Sequence, residues 1–230
     1  MRILGIIPAR GGSKGIPGKN IKKLGGEPLI KYTIDSALKS NLITRCVLSS
    51  DSDEIIRKGE ILGIEIPFIR PAEFSEDDTP SLDVVKHALS YYTKFNEHFE
   101  AVCLLQPTTP FRTYGLIDKA IREFESGEYD SLISVREVPH EFNPHWVFEE
   151  KKGKLQIATG EKNIITRRQD LPKSYYRDGA IYLTRTEVIL KENSLYGERI
   201  GFIENMGQEH VNLDTQADWE RAEKIIRKLK

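Results

Sequence analysis

Apolar runs and amphipathic stretches alternate along the first half of the chain. Runs that are apolar throughout predict strands at ILGIIPA, RCVLSSD, IEIPFIRP, EAVCLLQP and DSLISVREV. Apolar residues at helical spacing predict helices at PLIKYTIDSALKS, DEIIRKGEILG, TPSLDVVKHALSYY and YGLIDKAIREFESG. In the third helix Thr79 stands at a capping position and Pro80 at the first helical position. Because parallel strands are usually buried on both sides, this alternation predicts an α/β fold with a parallel sheet covered on both faces.

The middle of the chain breaks this pattern from about Pro139 to Pro172. Within it, VFEEKKGKLQIA is typical of a hairpin that turns at Lys152-Gly153. We interpret the region as an insertion of about residues 139–172 that leaves the main sheet, within a single domain of residues 1–230. GAIYLT and RIGFIE then return as strands. The last helix begins at Asp214-Thr215, where Thr215 and Asp218 have capping-box spacing.

Composition narrows the class of protein. The chain has 230 residues, 39% hydrophobic and 30% charged, and a net charge of -1. These values indicate a globular protein with a full core and argue against a disordered or membrane protein. A near-neutral charge without interleaved aromatic residues disfavours nucleic-acid binding. Cys46 and Cys103 lie in apolar runs, as expected of buried reduced thiols, and the N-terminal run is too short for a signal peptide, so we expect a cytoplasmic protein.

The loop after the first strand carries the strongest chemical signal. IPARGGSKGIPGKN combines the cations Arg10, Lys14 and Lys19 with several glycines. It is not a P-loop, because Ser13 stands where the first glycine of that motif is required and Asn20 where a hydroxyl is required. The dinucleotide motif G-x-G-x-x-G is absent as well.

The physics of this loop nevertheless favours phosphate. Consecutive glycines let backbone N–H groups approach an anion, and open α/β sheets bind ligands at the carboxyl ends of their strands. Arginine makes forked contacts to phosphate oxygens, while lysines act as mobile point charges. The charge of three cations matches that of a triphosphate better than that of a monophosphate. The alternative is a solvated basic surface loop.

The same residues carry a family resemblance. IPARGGSKGIPGKN resembles the N-terminal motif of the acylneuraminate (CMP-sialic acid) cytidylyltransferases. The similarity continues in family order through LSSDSDEI, RPAEFSEDDTPS, LLQPTTPFR, RRQDLP, DGAIY and VNLDT. The related deoxyoctulosonate enzymes resemble the chain less, since they usually carry Arg where it has Lys14-Gly15. The resemblance implies a three-layer, Rossmann-like nucleotide-diphospho-sugar transferase fold, with a mostly parallel sheet and a small inserted dimerisation arm.

The resemblance also implies a CTP site. Its residues would be Ala9, Arg10, Gly11, Gly12, Ser13, Lys14, Lys19 and Asn20 around the phosphates, with Arg70 and Ser81 on the cytidine part. Arg70 ends a predicted strand and Ser81 opens a predicted helix, so both could face one crevice. They could equally be a surface arginine and a helix-start serine.

A carboxylated sugar is the acceptor that the resemblance implies. Gln106, Arg168 and Tyr182 match family positions around that sugar acid. Arg167 competes with Arg168 by one residue of register, and Tyr182 could instead be a core tyrosine. Arg112 is a candidate for either a ligand contact or a structural anchor. Asp178 stands where the family often has Asn.

The expected metal site departs from the family pattern. The family usually shows an Asp-x-Asp pair near the last helix, which would hold Mg²⁺, with Mn²⁺ as an alternative. Here EHVNLDT puts Asn212 in place of the first acid, so Asn212 and Asp214 are the candidate ligands. His210 shares their face but imidazole is a poor magnesium ligand. Asp214 could also cap the final helix.

The resulting hypothesis is transfer of CMP from CTP to the anomeric hydroxyl of a nonulosonic acid. Arg10, Lys14, Lys19 and Asp214 would carry catalysis by positioning and by neutralising phosphate charge. Two rivals stay open: the same chemistry on legionaminic, pseudaminic or deoxyoctulosonic acid, and a non-catalytic nucleotide binder. The family forms homodimers through its arm, for which Phe142, Trp146 and Phe148 are candidate anchors.

Overall fold

The computed structural model describes residues 1–207 and 209–229. Its helices within these residues are α1 (Leu29–Leu38), α2 (Asp53–Ile61), α3 (Ser81–Thr93), α4 (Leu116–Ser126) and α5 (Gln216–Leu229). Its strands within the same residues are β1 (Ile3–Pro8), β2 (Lys23–Leu24), β3 (Glu27–Pro28), β4 (Arg45–Ser49), β5 (Ala101–Leu104), β6 (Ser131–Glu137), β7 (Phe148–Lys151), β8 (Lys154–Ile157), β9 (Tyr175–Arg185) and β10 (Ile200–Glu204). None of the described helices is long and apolar enough to cross a bilayer.

A six-stranded sheet forms the centre, in the order β10-β6-β9-β5-β1-β4. β1 is parallel to β4 and β5, so that Ile6 lies opposite both Val47 and Leu104. β9 runs antiparallel to β5, with Tyr182 opposite Leu104. The expected mostly parallel α/β sheet is confirmed. β9 differs because it is not preceded by a crossover helix.

Buried side chains cover both faces of this sheet. Ile3 and Ile7 of β1 join one core cluster with residues of α1, α2 and α4, whereas Leu4 and Ile6 join a second cluster with α3. This alternation of neighbouring residues between two cores produces three layers, because successive side chains of a strand point to opposite faces. α5 packs in a third cluster, in which Trp219 and Ile16 are both buried.

Two local predictions need correction. IEIPFIRP forms no strand: Glu65 makes a single bridge to Val47, and Pro67, which has no N–H to donate, follows closely. Helix α3 begins at Ser81, with Pro80 as its N-cap residue, one position later than the capping pattern predicts. The final capping box is confirmed, since Thr215 N donates to Asp218 Oδ2 at 2.8 Å and Asp218 N to Thr215 Oγ1 at 3.3 Å.

The chain divides into two compact units. The first is Met1–Ser134 with Asp178–Lys230, and the second is Val135–Arg177. The second unit contains the β7–β8 hairpin, whose predicted turn is confirmed by positive φ angles at Lys152 (56°) and Gly153 (75°). Trp146 Nε1 donates to the Ile165 carbonyl oxygen at 2.6 Å within this unit.

Candidate active site

A cavity of about 320 Å³ opens in the first unit, beside the carboxyl end of β1. It is lined by most of the residues that the sequence nominated for CTP, namely Arg10, Ser13, Lys14, Lys19, Asn20, Arg70 and Ser81, together with Gln106 and Asp214. Residues far apart in the chain therefore converge on one space. Ligands in open α/β sheets bind at this position.

The glycine-rich loop is held in place by its own backbone and by the segment before α5. Lys19 N donates to the Ile16 carbonyl oxygen at 3.1 Å, and Gly18 has φ of 61°, so Pro17-Gly18 forms a turn that needs glycine at its third position. Asn20 Nδ2 donates to the Arg10 carbonyl oxygen at 2.9 Å. A Cβ atom on Gly15 would stand 2.2 Å from the Asp214 carbonyl oxygen, so glycine permits this close approach.

Lys19 lies between the loop and the segment before α5. Its Nζ donates to the Leu213 carbonyl oxygen at 2.7 Å and lies 3.5 Å from Asp214 Oδ1. The side chain is only 14% exposed. Burial lowers the pKa of Lys19 below its ordinary value, and the Asp214 carboxylate opposes this shift. Lys19 is thus a fixed cation at the cavity wall.

Arg10 and Lys14 share one anionic partner that sequence reasoning missed. Arg10 NH2 lies 2.8 Å from Asp77 Oδ1, and Lys14 Nζ contacts Asp77 Oδ2. Asp77 lines the cavity, as do Glu76 and Thr79. The sequence analysis used the RPAEFSEDDTPS stretch, which contains these residues, only for the family resemblance and for Arg70 and Ser81.

Arg70, Ser81 and Gln106 lie around another part of the same cavity. Arg70 is 4% exposed, and its NH2 donates to the Ser49 carbonyl oxygen at 2.8 Å. Its Nε has no hydrogen-bond partner among the described residues. Burial lowers the pKa of Arg70 to about 10. Gln106 Nε2 donates to Ser81 Oγ at 3.3 Å, which links the end of β5 to the start of α3.

Three nominated loop residues do not line the cavity. Ala9 is buried in the core, and its N–H donates to the Ser49 carbonyl oxygen at 2.9 Å. The Gly11 N–H donates to Asp51 Oδ1 at 2.9 Å. Gly12 is exposed. In this conformation the N–H groups of Ala9 and Gly11 are therefore occupied by protein oxygens.

Of the two candidate metal ligands, Asn212 and Asp214, Asp214 is the one that offers a charged oxygen. Its side chain is 61% exposed and lines the cavity, and Asn212 Nδ2 donates to its Oδ2 at 2.7 Å. Asp218 and Thr215 cap α5, so the Asp214 carboxylate is not used as a helix cap. No cluster of three or more His, Cys, Asp or Glu side chains suited to a metal exists among the described residues. One carboxylate is nevertheless compatible with Mg²⁺, which commonly binds one or two carboxylates with phosphate oxygens and water.

Arg112 is a structural anchor. Its Nε, NH1 and NH2 donate to the Ala180 carbonyl oxygen at 3.0 Å, Thr33 Oγ1 at 2.8 Å and the Gln106 carbonyl oxygen at 2.6 Å. These bonds join α1, the loop after β5 and strand β9. The structure therefore settles the question that the sequence left open about this residue.

We expect Arg112→Met to lower the free energy of unfolding by about 3–5 kcal/mol, because it leaves several acceptors without their donor. Denaturant unfolding measures the change. Arg57→Met, at an exposed position of α2, is the matched control and should change stability by no more than about 0.5 kcal/mol. Equal effects of the two variants would show that the Arg112 bonds contribute nothing net.

Tyr182 and Asp178 lie in the interior of the first unit. Tyr182 is 9% exposed, and its ring centroid lies 6.4 Å from that of Tyr196. Asp178 is 3% exposed and accepts hydrogen bonds from Ser134 Oγ at 2.5 Å and Asn205 Nδ2 at 2.7 Å. The carboxylate at the position of the usual family Asn is thus fully hydrogen-bonded inside the protein.

Arg168 belongs to the second unit. It begins a single 3-10 turn, Arg168–Asp170, and lines a cavity of about 350 Å³ with His140, Lys173 and others. The neighbouring Arg167 is paired with Asp170 through Nε at 2.7 Å and NH2 at 3.1 Å. The Arg168 carbonyl oxygen accepts from Leu171 N at 3.2 Å, but its side chain makes no hydrogen bond or ion pair within the described residues. Of the two arginines, Arg168 is the one whose guanidinium is available to a ligand.

The fold and the cavity define the chain as an α/β nucleotidyltransferase. The sequence model described as cytidylyltransferase matches residues 4–229, so the chain belongs to the cytidylyltransferase family. A pseudaminic acid cytidylyltransferase of Campylobacter jejuni is 34% identical over 196 residues, or 85% of this chain and 84% of that protein. An N-acylneuraminate cytidylyltransferase of Streptococcus agalactiae is 32% identical over 221 residues, or 95% of this chain and 52% of that protein.

Comparison with solved structures agrees on the fold. A CMP:2-keto-3-deoxy-manno-octonic acid synthetase complexed with CTP superposes with a TM-score of 0.74, covering 100% of both chains at 14% identity. At this identity the likeness establishes the architecture alone. It confirms the expectation of a nucleotidyltransferase fold with a mostly parallel central sheet.

Proposed function

We propose that the protein transfers CMP from CTP to the anomeric hydroxyl of a nonulosonic acid, giving a CMP-sugar and pyrophosphate. The observation that carries this proposal is the single cavity in which Arg10, Lys14 and Lys19 meet Arg70 and Asp214. Membership of the cytidylyltransferase family supports the nucleotide and the type of transfer. The names of relatives support a nine-carbon sugar acid as the acceptor.

Each group of side chains has a role in this reaction. The anomeric oxygen attacks the α-phosphorus in line with the departing pyrophosphate, and catalysis comes from positioning and charge neutralisation. Arg10, Lys14 and Lys19 hold the phosphates, with Ser13 and Asn20 beside them. Arg70 and Ser81 contact the cytidine part, and Arg70 has an unpaired buried Nε to offer. Gln106, which lines this cavity, would contact the sugar acid. Arg168, which lines a cavity of the second unit, is the candidate for the carboxylate of that acid. Tyr182, at 9% exposure, would support the sugar site only indirectly, from the interior of the first unit.

Mg²⁺, with Mn²⁺ as a substitute, would be held by Asp214 and the phosphate oxygens of CTP. When bound, it would neutralise part of the phosphate charge. Asn212 would act by orienting Asp214 through the 2.7 Å hydrogen bond. Lys19, 3.5 Å from Asp214 Oδ1, would hold the carboxylate near the phosphates while contributing its own charge.

We further propose a cytoplasmic homodimer that uses the inserted arm. Several large apolar side chains of the second unit are solvent-exposed in the single chain, including Phe142 (65%), Phe148 (44%) and Leu155 (70%). Exposed apolar groups concentrated on one small unit favour a protein partner. Trp146 instead packs within its own unit, because its Nε1 donates to Ile165 O.

Pyrophosphate release tests the proposal. The protein is incubated with CTP, Mg²⁺ and each of a panel of acids: N-acetylneuraminic, legionaminic, pseudaminic and deoxyoctulosonic. We expect release with at least one nonulosonic acid and none when the acid is omitted. Release only with deoxyoctulosonic acid would overturn the acceptor class while keeping the chemistry.

The second candidate, a non-catalytic nucleotide binder, is favoured by one observation, the Asn212 substitution. This candidate predicts CTP binding by calorimetry with no pyrophosphate release on any acid. Because both measurements use the same protein, the two candidates cannot be confused.

A further inference from the structure

A short acidic segment forms ion pairs with two cations of the glycine-rich loop. Residues 76–78, which we call the acidic tip, are Glu76, Asp77 and Asp78, in the connection between Arg70 and α3. Both oxygens of Asp77 are engaged, Oδ1 with Arg10 NH2 at 2.8 Å and Oδ2 with Lys14 Nζ. The Glu76 carbonyl oxygen accepts from Arg10 NH1 at 2.6 Å. A carboxylate that bridges two cations in this way uses the donors that a phosphate would use.

The tip is attached weakly except through these cations. The base of the connection is fixed, since Phe74 N donates to Pro71 O at 3.0 Å and the Phe74 ring lies 5.4 Å from that of His87. Among the described residues, residues 76–78 have one local hydrogen bond, from Thr79 N to the Glu76 carbonyl oxygen at 3.4 Å, and their other hydrogen bonds and ion pairs go to Arg10 or Lys14. The position of the tip therefore depends on whether those cations are available.

The tip is charged under ordinary conditions. The hydrogen bond from Lys14 lowers the pKa of Asp77 below its usual range, so the carboxylate is ionised at neutral pH. A triphosphate placed on Arg10 and Lys14 would meet this carboxylate at contact distance, where like charges repel. The carboxylate and the phosphate also need the same N–H donors. The Asp77 carboxylate and a phosphate therefore cannot bind Arg10 and Lys14 at the same time in this arrangement.

We propose that Asp77 is a built-in competitor of the triphosphate, which must displace the acidic tip from Arg10 and Lys14 to bind. The inference rests on the proposed role of these two cations as phosphate ligands. It deepens that role, because the tip weakens the binding of every polyphosphate, the product pyrophosphate included. Return of Asp77 to the cations then favours pyrophosphate release.

Calorimetry of three ligands tests this competition. CTP, inorganic pyrophosphate and cytidine are titrated into the wild-type protein and into Asp77→Asn, Asp77→Ala and Asp78→Asn. Asp78 is the matched control, because it is adjacent, exposed and without an ion pair to either cation within the described residues. We expect both Asp77 variants to lower the Kd of CTP and of pyrophosphate about threefold to tenfold, as loss of exposed ion pairs permits. Asp78→Asn should change these values less than twofold, and cytidine should not respond to any variant.

The outcomes separate this inference from the proposed function. If the wild-type protein binds neither CTP nor pyrophosphate, the proposed function itself fails. If the wild-type protein binds both ligands, but the Asp77 variants change the two Kd values no more than Asp78→Asn does, the changes reflect only long-range charge. The competitor role of Asp77 is then wrong. Weaker binding by the Asp77 variants would also overturn it, because Asp77 would then be positioning the cations for the ligand. Thermal unfolding of each variant verifies that exposed Asp77 is not needed for folding.

Discussion

Replacing Lys19 by methionine should lower kcat/KM for CTP about 100- to 1,000-fold in the pyrophosphate assay. Lys19 is the most buried of the three loop cations, with a side chain 14% exposed against 26% for Arg10 and 81% for Lys14. A fixed charge in a water-poor position stabilises developing phosphate charge more than a mobile one does. Methionine keeps most of the apolar stem and removes the charge. The loss of kcat/KM should therefore come from the position of the removed charge and not from the change in the protein's net charge.

Lys23→Met is the control for the lost charge, since Lys23 is exposed in β2, four residues further on. It should retain nearly full activity. A comparable loss in both variants would contradict a specific role for Lys19. Thermal unfolding of Lys19→Met is needed as well, because the variant also removes the bond to the Leu213 carbonyl oxygen.

The pH dependence of Lys19 offers an independent check. Since burial lowers its pKa, the wild-type kcat/KM should fall as the pH rises through that lowered value, where the amine loses its charge. Lys19→Arg keeps the positive charge at such pH, so its profile should extend further into the alkaline range. This holds even if its absolute rate is lower. Identical alkaline limbs would assign that limb to another group.

Much of the fold could be predicted because many elements depend only on the residues of their own segment. β1 is apolar at nearly every position because both of its faces are buried, so it could be predicted without knowing its neighbours. The turn at Lys152-Gly153 could also be predicted locally, because glycine readily adopts the positive φ that Gly153 has there. The segment IEIPFIRP is as apolar as a strand, but its apolar residue Phe68 packs against Tyr91 and His87 of α3 instead. Tertiary packing there overrides the pattern.

The residues of the candidate site likewise divide into those that the sequence reveals and those that only the structure reveals. Arg10, Lys14 and Lys19 could be found from sequence because cations and glycines without a core-packing role stand out. Arg112 could not be assigned, because its role depends on acceptors from α1 and β9, far away in the chain. Asp77 was missed because an acid beside a phosphate loop makes sense only once its pairing with two cations is seen. Pairings between distant residues leave no periodic trace in the sequence.

The second large effect concerns the sugar acid. We expect Arg168→Gln to raise KM for that acid roughly 30- to 100-fold, because a charge-assisted bond from arginine to a carboxylate contributes about 2–3 kcal/mol. The Kd of CTP, measured by calorimetry, should change less than twofold, since the sugar carboxylate is not part of CTP. A change in KM for the sugar acid without a change in the Kd of CTP distinguishes an acceptor contact from a general loss of folding.

Arg167→Gln is the matched control, because it removes the same charge one residue earlier. Arg167 is already held by Asp170 through two bonds of 2.7 and 3.1 Å, whereas Arg168 lines a cavity and makes no such pair within the described residues. A guanidinium that is already paired must lose its partner before it can bind a second carboxylate, so Arg167 is the weaker candidate. Its variant should raise KM for the sugar acid no more than about threefold. If Arg167→Gln has the larger effect, the register is shifted by one residue; if neither variant responds, the sugar carboxylate is bound elsewhere.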